Sequence, residues 1–179
     1  MRTVTLKTQT GPDYSAGWHT LTINNAKYST VNDTAILDIW FEGYPENFNM
    51  RTWAKETNGE EWRIARLFRF ANAGIGEVMD EAGEKRLSLD DDAQNLIGKT
   101  INILFYKEDV EMPDGNMKTF SRPYTDPAPT AFTNAAEVFD EASVARLKAK
   151  AEERFHSYGK GHLNGTVKAT SETEETLPF

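Results

Sequence analysis

Apolar and polar residues alternate over residues 18–28, with Trp18, Thr20 and Thr22 on one side and His19, Leu21 and Ile23 on the other. That period of two predicts a first strand. The polar stretch 30–33 supplies a turn. Residues 35–42, rich in β-formers (Ile36, Leu37, Ile39, Trp40, Phe41), predict a second strand. The turn cluster Gly43-Tyr44-Pro45-Glu46-Asn47 separates it from a third strand over 48–55. The period then becomes helical. Asn58 is the expected N-cap with Glu61 in a capping-box position; Trp62, Ile64, Leu67, Phe68 and Ala71 supply the apolar positions, and Gly74 the stop. A short helix is expected over 89–97, capped by Ser88 and ended by Gly98, with Asp90, Asp91 and Asp92 in its first turn, where the macrodipole favours acids. Residues 100–107 predict a fourth strand with Ile101, Ile103 and Phe105 on one face. Met112-Pro113-Asp114-Gly115-Asn116 predicts a hairpin turn into a fifth strand over 117–124. After a proline-rich exit (123–129), a last helix is expected from about Asn134, with Glu137 in capping-box position, to about Phe155.

This order predicts a mainly β fold with helices: a five-stranded OB-fold-like barrel, a helix between strands three and four, and a C-terminal helix. Residues 1–158 form the expected domain. Residues 159–179, small and polar with no sustained apolar period, are expected to be a disordered tail.

Composition narrows the class. With 179 residues, 39% hydrophobic residues and aromatics throughout, the chain reads as one soluble globular domain plus a tail. It has no cysteine, which excludes disulfides, thiolate zinc sites and a cysteine nucleophile. No apolar run approaches the roughly 20 residues of a membrane span, and the polar start does not read as a signal peptide, so a cytoplasmic protein is expected.

The net charge is -8, with 20 Lys and Arg against 28 Asp and Glu, yet its distribution is uneven. The windows 47–55, 62–72, 99–107 and 116–125 carry bases and no carboxylate, whereas 77–92 is dominated by acids. Period two places Lys118, Phe120, Arg122 and Tyr124 on one side of the fifth strand, and Arg51, Trp53 and Lys55 on one side of the third. A core face does not alternate cations with aromatics, because an unpaired buried charge costs several kcal/mol. An open face of this kind suits single-stranded nucleic acid: bases stack on rings at roughly 1–3 kcal/mol each while cations follow the phosphates. The candidate single-strand-binding residues are therefore Arg51, Trp53, Lys55, Lys107, Lys118, Phe120, Arg122 and Tyr124. For each aromatic the competing reading is core packing, with Lys or Arg snorkelling past it. Arg63, Arg66 and Arg69 are expected on a solvated helix flank, bridged to Glu60 or Glu61. Asp38 and Glu42 share a strand face without an evident basic partner.

The chain ends Glu172-Thr173-Glu174-Glu175-Thr176-Leu177-Pro178-Phe179. Exposed apolar residues in a tail have no folding role, and the physical use is docking: the Phe179 ring in an apolar pocket, its carboxylate on a basic residue and the glutamates on a basic rim. This tip resembles the acidic, Pro-Phe-ending tip of bacterial single-stranded DNA-binding proteins. The chain as a whole resembles a phage-encoded single-stranded DNA-binding protein. The resemblance implies that Glu172, Glu174, Glu175, Leu177, Pro178 and Phe179 recruit replication, recombination or repair proteins, and that the tail competes with DNA for the basic groove. It also implies the host cytoplasm as the compartment.

No catalytic residue, metal site or cofactor is expected. His19, His156 and His162 lack ligand spacing, and no phosphate-binding glycine motif is present. Two alternatives remain open: an acidic DNA mimic that inhibits a DNA-processing enzyme, and a metal-dependent nuclease using the carboxylates. The last helix can pack on its own barrel or on a neighbour's, which leaves a homo-oligomer open.

Overall fold

The alternation that begins at Trp18 continues much further than residue 28 and builds one strand of 15 residues. In the computed structural model, which describes residues 1–5, 11–134 and 136–163, the elements in chain order are β1 (Gly17–Val31), β2 (Thr34–Phe41), β3 (Asn49–Trp53), β4 (Glu56–Thr57), β5 (Glu60–Glu61), α1 (Arg63–Phe70), β6 (Ile75–Glu81), β7 (Glu84–Leu89), a 3₁₀ turn (Ala93–Leu96), β8 (Thr100–Glu111), β9 (Met117–Pro123), β10 (Phe132–Thr133), β11 (Val138–Phe139) and α2 (Glu141–Tyr158). The five long strands form an antiparallel sheet in the order β3-β2-β1-β8-β9. β1 is shared: residues 17–22 pair with β8, and Ile23 and residues 25–31 pair with β2. A register shift between Ile23 and Asn25 lies just inside the β1–β2 ladder. It is a β-bulge, and it reverses the parity of the strand. Leu21 and Ile23 face the core before it; Ala26 faces the core after it.

That core collects Leu37, Ile39 and Phe41 of β2, Met50 of β3, and Ile101, Ile103 and Phe105 of β8. Ile64, Leu67 and Phe68 of α1 belong to the same cluster. Each such side chain, fully buried, contributes roughly 1.5–3 kcal/mol. α1 starts where Glu61 accepts hydrogen bonds from the backbone N–H groups of Arg63 (2.8 Å), Ile64 (2.9 Å) and Ala65 (3.1 Å). These are the orphan donors of a helix N-terminus. Glu61 therefore caps the helix from the position before Trp62. Asn58 does not cap it: Asn58 and Gly59 have φ of 53° and 80° and form the turn of the β4–β5 hairpin. Positive φ at both central residues is what an Asn-Gly hairpin turn provides.

The expectation of an OB-fold-like barrel is corrected. Among the described residues no ladder joins the outer strands β3 and β9, so the sheet stays open. β9 contributes no residue to the core cluster; Ser121 and Thr119, opposite Lys107 and Asp109, are its positions on that side. Rings occupy the space between these edges. Tyr14 packs edge-on to Phe48 at 5.1 Å, and Phe48 to Phe105 at 5.0 Å. The Tyr14 carbonyl accepts from Lys107 Nζ at 2.8 Å and Ser121 Oγ at 3.1 Å.

The helix expected over 89–97 is replaced by the end of the β6–β7 hairpin and one 3₁₀ turn. Asp92, not Ser88, caps that turn, accepting from the Gln94 N–H at 3.0 Å. The last helix starts later than expected. Asp140 caps it through the Ser143 N–H at 2.8 Å, while Asn134 accepts from the N–H groups of Ala136 and Glu137 in the turn of the β10–β11 hairpin. Past Tyr158 the chain returns to the sheet. His162 and Lys107 exchange backbone hydrogen bonds of 2.7 and 2.8 Å, so described structure extends into the stretch expected to be tail. No helix among the described residues is long and apolar enough to cross a membrane.

Candidate nucleic-acid interface

The side of the sheet away from the core is divided in two. Over residues 17–22 of β1 and the adjoining parts of β8 and β9, α2 lies on the sheet. Phe155 packs against Tyr106 and Tyr124, each at 5.2 Å, and Leu104 is fully buried. Trp18 Nε1 donates to Glu152 at 2.7 Å, and Lys148 Nζ lies 5.6 Å from the Trp18 ring. Tyr124 therefore belongs to a packed layer and is not an open stacking platform. Burial pushes its hydroxyl up to about 12, with Asp126 adding to the effect. This corrects the sequence expectation for Tyr124. Strand parity identified its side of the sheet, but a helix from elsewhere in the chain covers that side.

Lys107 is corrected too. It shares the parity of Ile101, Ile103 and Phe105, so it faces the core side. Its ammonium is used by Tyr14 O and by Ser121 Oγ at 2.6 Å. It closes the gap between loop and ribbon instead of facing a strand of nucleic acid.

The other half of this side is exposed at its edges, while Ile36 and Asp38 in its middle strand are buried. Register aligns three rows across β1, β2 and β3: Asn25, Trp40, Asn49; Lys27, Asp38, Arg51; Ser29, Ile36, Trp53. Trp53 is 40% exposed, and Arg51 is exposed beside it. Arg51 makes a bidentate pair with Asp38, both contacts 2.9 Å. The hydrogen bonds and charge of Asp38 raise the guanidinium pKa further. Asp38 thus has a basic partner, which corrects the expectation that it had none. Asp38 on β2 lies directly opposite Arg51 on β3, so the pair is a cross-strand contact that one-strand patterning cannot reveal. Lys27 forms no ion pair among the described residues. Lys55 lies beyond the end of β3, exposed, with its Nζ 5.8 Å from the Trp62 ring; the Arg66 guanidinium is 5.1 Å from the same ring.

The second cluster lies on a ribbon. β1 pairs with β8 only as far as Phe105, while the β8–β9 ladder continues to Glu111 opposite Met117. On this two-stranded extension Lys118 Nζ and the Arg122 guanidinium lie 5.1 and 5.4 Å from the Phe120 ring. Such spacing is that of cation–π contacts. Lys118 and Arg122 are exposed and Phe120 is half-buried. Arg122 also pairs with Glu108, so part of the ribbon's positive charge is compensated.

The β2–β3 loop lines two clefts, one shared with the ribbon and one with the sheet. On one side Asn47 and Phe48 line a cleft of about 400 Å³ with Phe120 and Arg122. On the other, Tyr44 and Glu46 line a cleft of about 520 Å³ with Asn24, Asn25, Lys27 and Trp40. Arg51, Trp53 and Lys118 line neither cleft; Phe120 and Arg122 line the first, and Lys27 and Trp40 the second. Sequence reading missed both: Trp40 shares the parity of Asp38, and Lys27 changes sides at the bulge.

Arg63, Arg66 and Arg69 do not pair with Glu60 or Glu61. They hold the segment leading to α2: Arg63 donates to Thr125 Oγ1 at 2.9 Å, Arg66 pairs with Asp126, and Arg69 forks onto Glu137. Asp126 also pairs with Arg154 of α2 at 3.1 Å. Burial raises the pKa of the Asp126 carboxyl, but Arg66, Arg154 and Arg63 outweigh it and hold the group below its ordinary 3.8. The tail residues Glu172, Glu174, Glu175, Leu177, Pro178 and Phe179 lie outside the described residues. No group of three or more His, Asp and Glu side chains suited to a metal gathers among the described residues. No protein-family model matches the chain, and no curated protein matches it.

Proposed function

We propose that the chain is a non-enzymatic single-stranded DNA-binding protein of OB type, protecting single strands during phage DNA replication, recombination and repair in the host cytoplasm. The observation that carries this reading is the pairing of an aromatic ring with exposed cations at two places, one on the sheet and one on the ribbon. Trp53 sits with Arg51 and Lys27 on the sheet; Phe120 sits between Lys118 and Arg122 on the ribbon. Stacking needs unpaired bases, so such surfaces favour single strands over duplex. The neighbour order β3-β2-β1-β8-β9, with α1 between the third and fourth long strands, also fits an OB-type fold. In this reading the tip around Phe179 recruits partner proteins and competes with DNA for the basic surfaces.

A fluorescent oligo-dT and a matched duplex, titrated at low and near-physiological salt, test the reading. The expected result is tight binding to the single strand alone, weakened by salt as phosphate neutralisation releases counterions. Absence of binding by both the full chain and a chain lacking residues 172–179 overturns it. One observation favours a second reading, the acidic inhibitor: Asp38 and Glu108 neutralise two of the interface arginines on a chain of net charge -8.

A further inference from the structure

The cleft of about 520 Å³ beside the β1 bulge carries polar groups that the fold does not consume. Its floor is Trp40, half-buried, with its Nε1 donating to the Glu46 carbonyl at 3.0 Å. That bond holds the indole and the backbone of residue 46 against each other. Asn25 lies directly opposite Trp40 in the ladder. Its Oδ1 accepts the Ala26 N–H at 2.9 Å, so its amide NH₂ is left as a pure donor. The exposed Glu46 carboxylate has no hydrogen-bond or ion partner among the described residues. Neither does Lys27 or the Asn24 side chain. The bulge places Asn24 and Asn25 outward in succession, which strict alternation forbids.

An aromatic floor with a donor on one side and a carboxylate on another is a description of a nucleobase site. We infer that this cleft reads a single base of the bound strand and selects guanine. The selection follows from the Watson–Crick edges. Guanine alone presents two adjacent N–H donors, N1 and N2, which match the two oxygens of a carboxylate, beside the O6 acceptor, which matches the Asn25 amide. Thymine presents one N–H between two carbonyl oxygens. Cytosine and adenine each place a ring-nitrogen lone pair beside their amino group, where it repels a carboxylate. Lys27 is placed to meet a phosphate of the same nucleotide. The inference rests on the single-strand reading proposed above, and it departs from sequence-neutral coating by assigning a base preference.

The test uses the full chain and dT oligonucleotides carrying one dG, dA, dC or inosine at a central position. A single dG avoids self-association of guanine runs. A good bidentate contact makes the dG strand bind roughly tenfold tighter than the others. Inosine, which lacks the N2 amino group, loses most of that gain. Glu46→Gln abolishes the preference while retaining affinity for all-dT. Asn25→Asp keeps the acceptor for Ala26 and removes the donor, with the same result. The Trp40 indole N–H resonance, assigned with Trp40→Phe, is followed on adding dGMP or dTMP. Equal affinity for all four strands overturns the base-reading cleft and leaves the single-strand reading standing. So does a dG preference that survives Glu46→Gln. If no strand binds but dGMP alone shifts the Trp40 signal, the cleft stands as a free guanine nucleotide site and the single-strand reading falls. If neither strands nor dGMP produce a response, both fall.

Discussion

The two halves of the outward side of the sheet have similar residue chemistry and opposite fates. Trp18, Tyr106 and Tyr124 lie under α2, whose own Lys148 supplies the cation over the Trp18 ring. Trp40, Trp53, Lys27 and Arg51 bring rings and cations together on a face where Trp53, Lys27 and Arg51 stay exposed. The difference lies outside the strands. A helix that begins at Glu141 supplies Phe155, Glu152 and Arg154 to one half only. Aromatic–cation alternation identifies a side of a sheet that does not belong to the main core. Whether that side becomes a second packed layer or a binding surface depends on what the remaining chain lays upon it.

The most disruptive way to break the contrast is Phe155→Ala. Truncating a fully packed ring is expected to cost about 4 kcal/mol, because the Tyr106 and Tyr124 rings lose their partner and a cavity remains. Urea unfolding followed by circular dichroism measures it. A change under about 1 kcal/mol would mean that α2 merely leans on the sheet. Asp126→Ala is expected to cost about 3 kcal/mol by stranding Arg66 and Arg154. The same carboxylate sets an acid limit. Its folded pKa lies below 3.8, so its stabilisation is complete above the unfolded value and is lost as pH falls through the folded value. Melting temperatures of the parent and Asp126→Asn proteins, taken from neutral pH down through that range, should therefore converge only at the acid end. A gap that stays constant with pH excludes this role.

Smaller effects sharpen the other half. Trp53→Ala should leave stability within about 0.5 kcal/mol, as for an exposed site, and weaken oligo-dT binding by about 1–3 kcal/mol. Loss of stability without loss of binding assigns Trp53 to packing. Lys118→Ala should be the mildest change. It is expected to lower affinity for every single strand alike and reduce the salt slope by about one. An unchanged slope on log–log axes removes the ribbon from the phosphate path.

Much of this fold was legible in the sequence. Alternation located β1, β2, β3, β8 and β9, and the Met112–Asn116 turn located the ribbon. What stayed hidden had local causes. Asn58 and Glu61 fit both a capping box and an Asn-Gly hairpin, and the turn chemistry at Gly59 won. The β6–β7 hairpin turns at Ala82-Gly83, a weak signal inside an acid-rich run. Asp38 was paired through the neighbouring strand, and Tyr124 was covered by α2; both contacts join residues that no local pattern relates. At the interface, the residue types at Trp53, Lys118 and Phe120 were readable because they face solvent on regular strands. Lys27 and Trp40 depended on a register that only the assembled sheet defines.

The register shift after Ile23 has one more consequence. β1 is written in two phases: odd-numbered residues turn inward before it, and even-numbered ones after it. The two halves of the sheet therefore do not share one inside–outside code along their common strand. Substitutions that retune the surface beside β2 need not follow the parity that fixes the half under α2. A single extra residue lets one continuous strand serve two faces whose compositions can diverge independently.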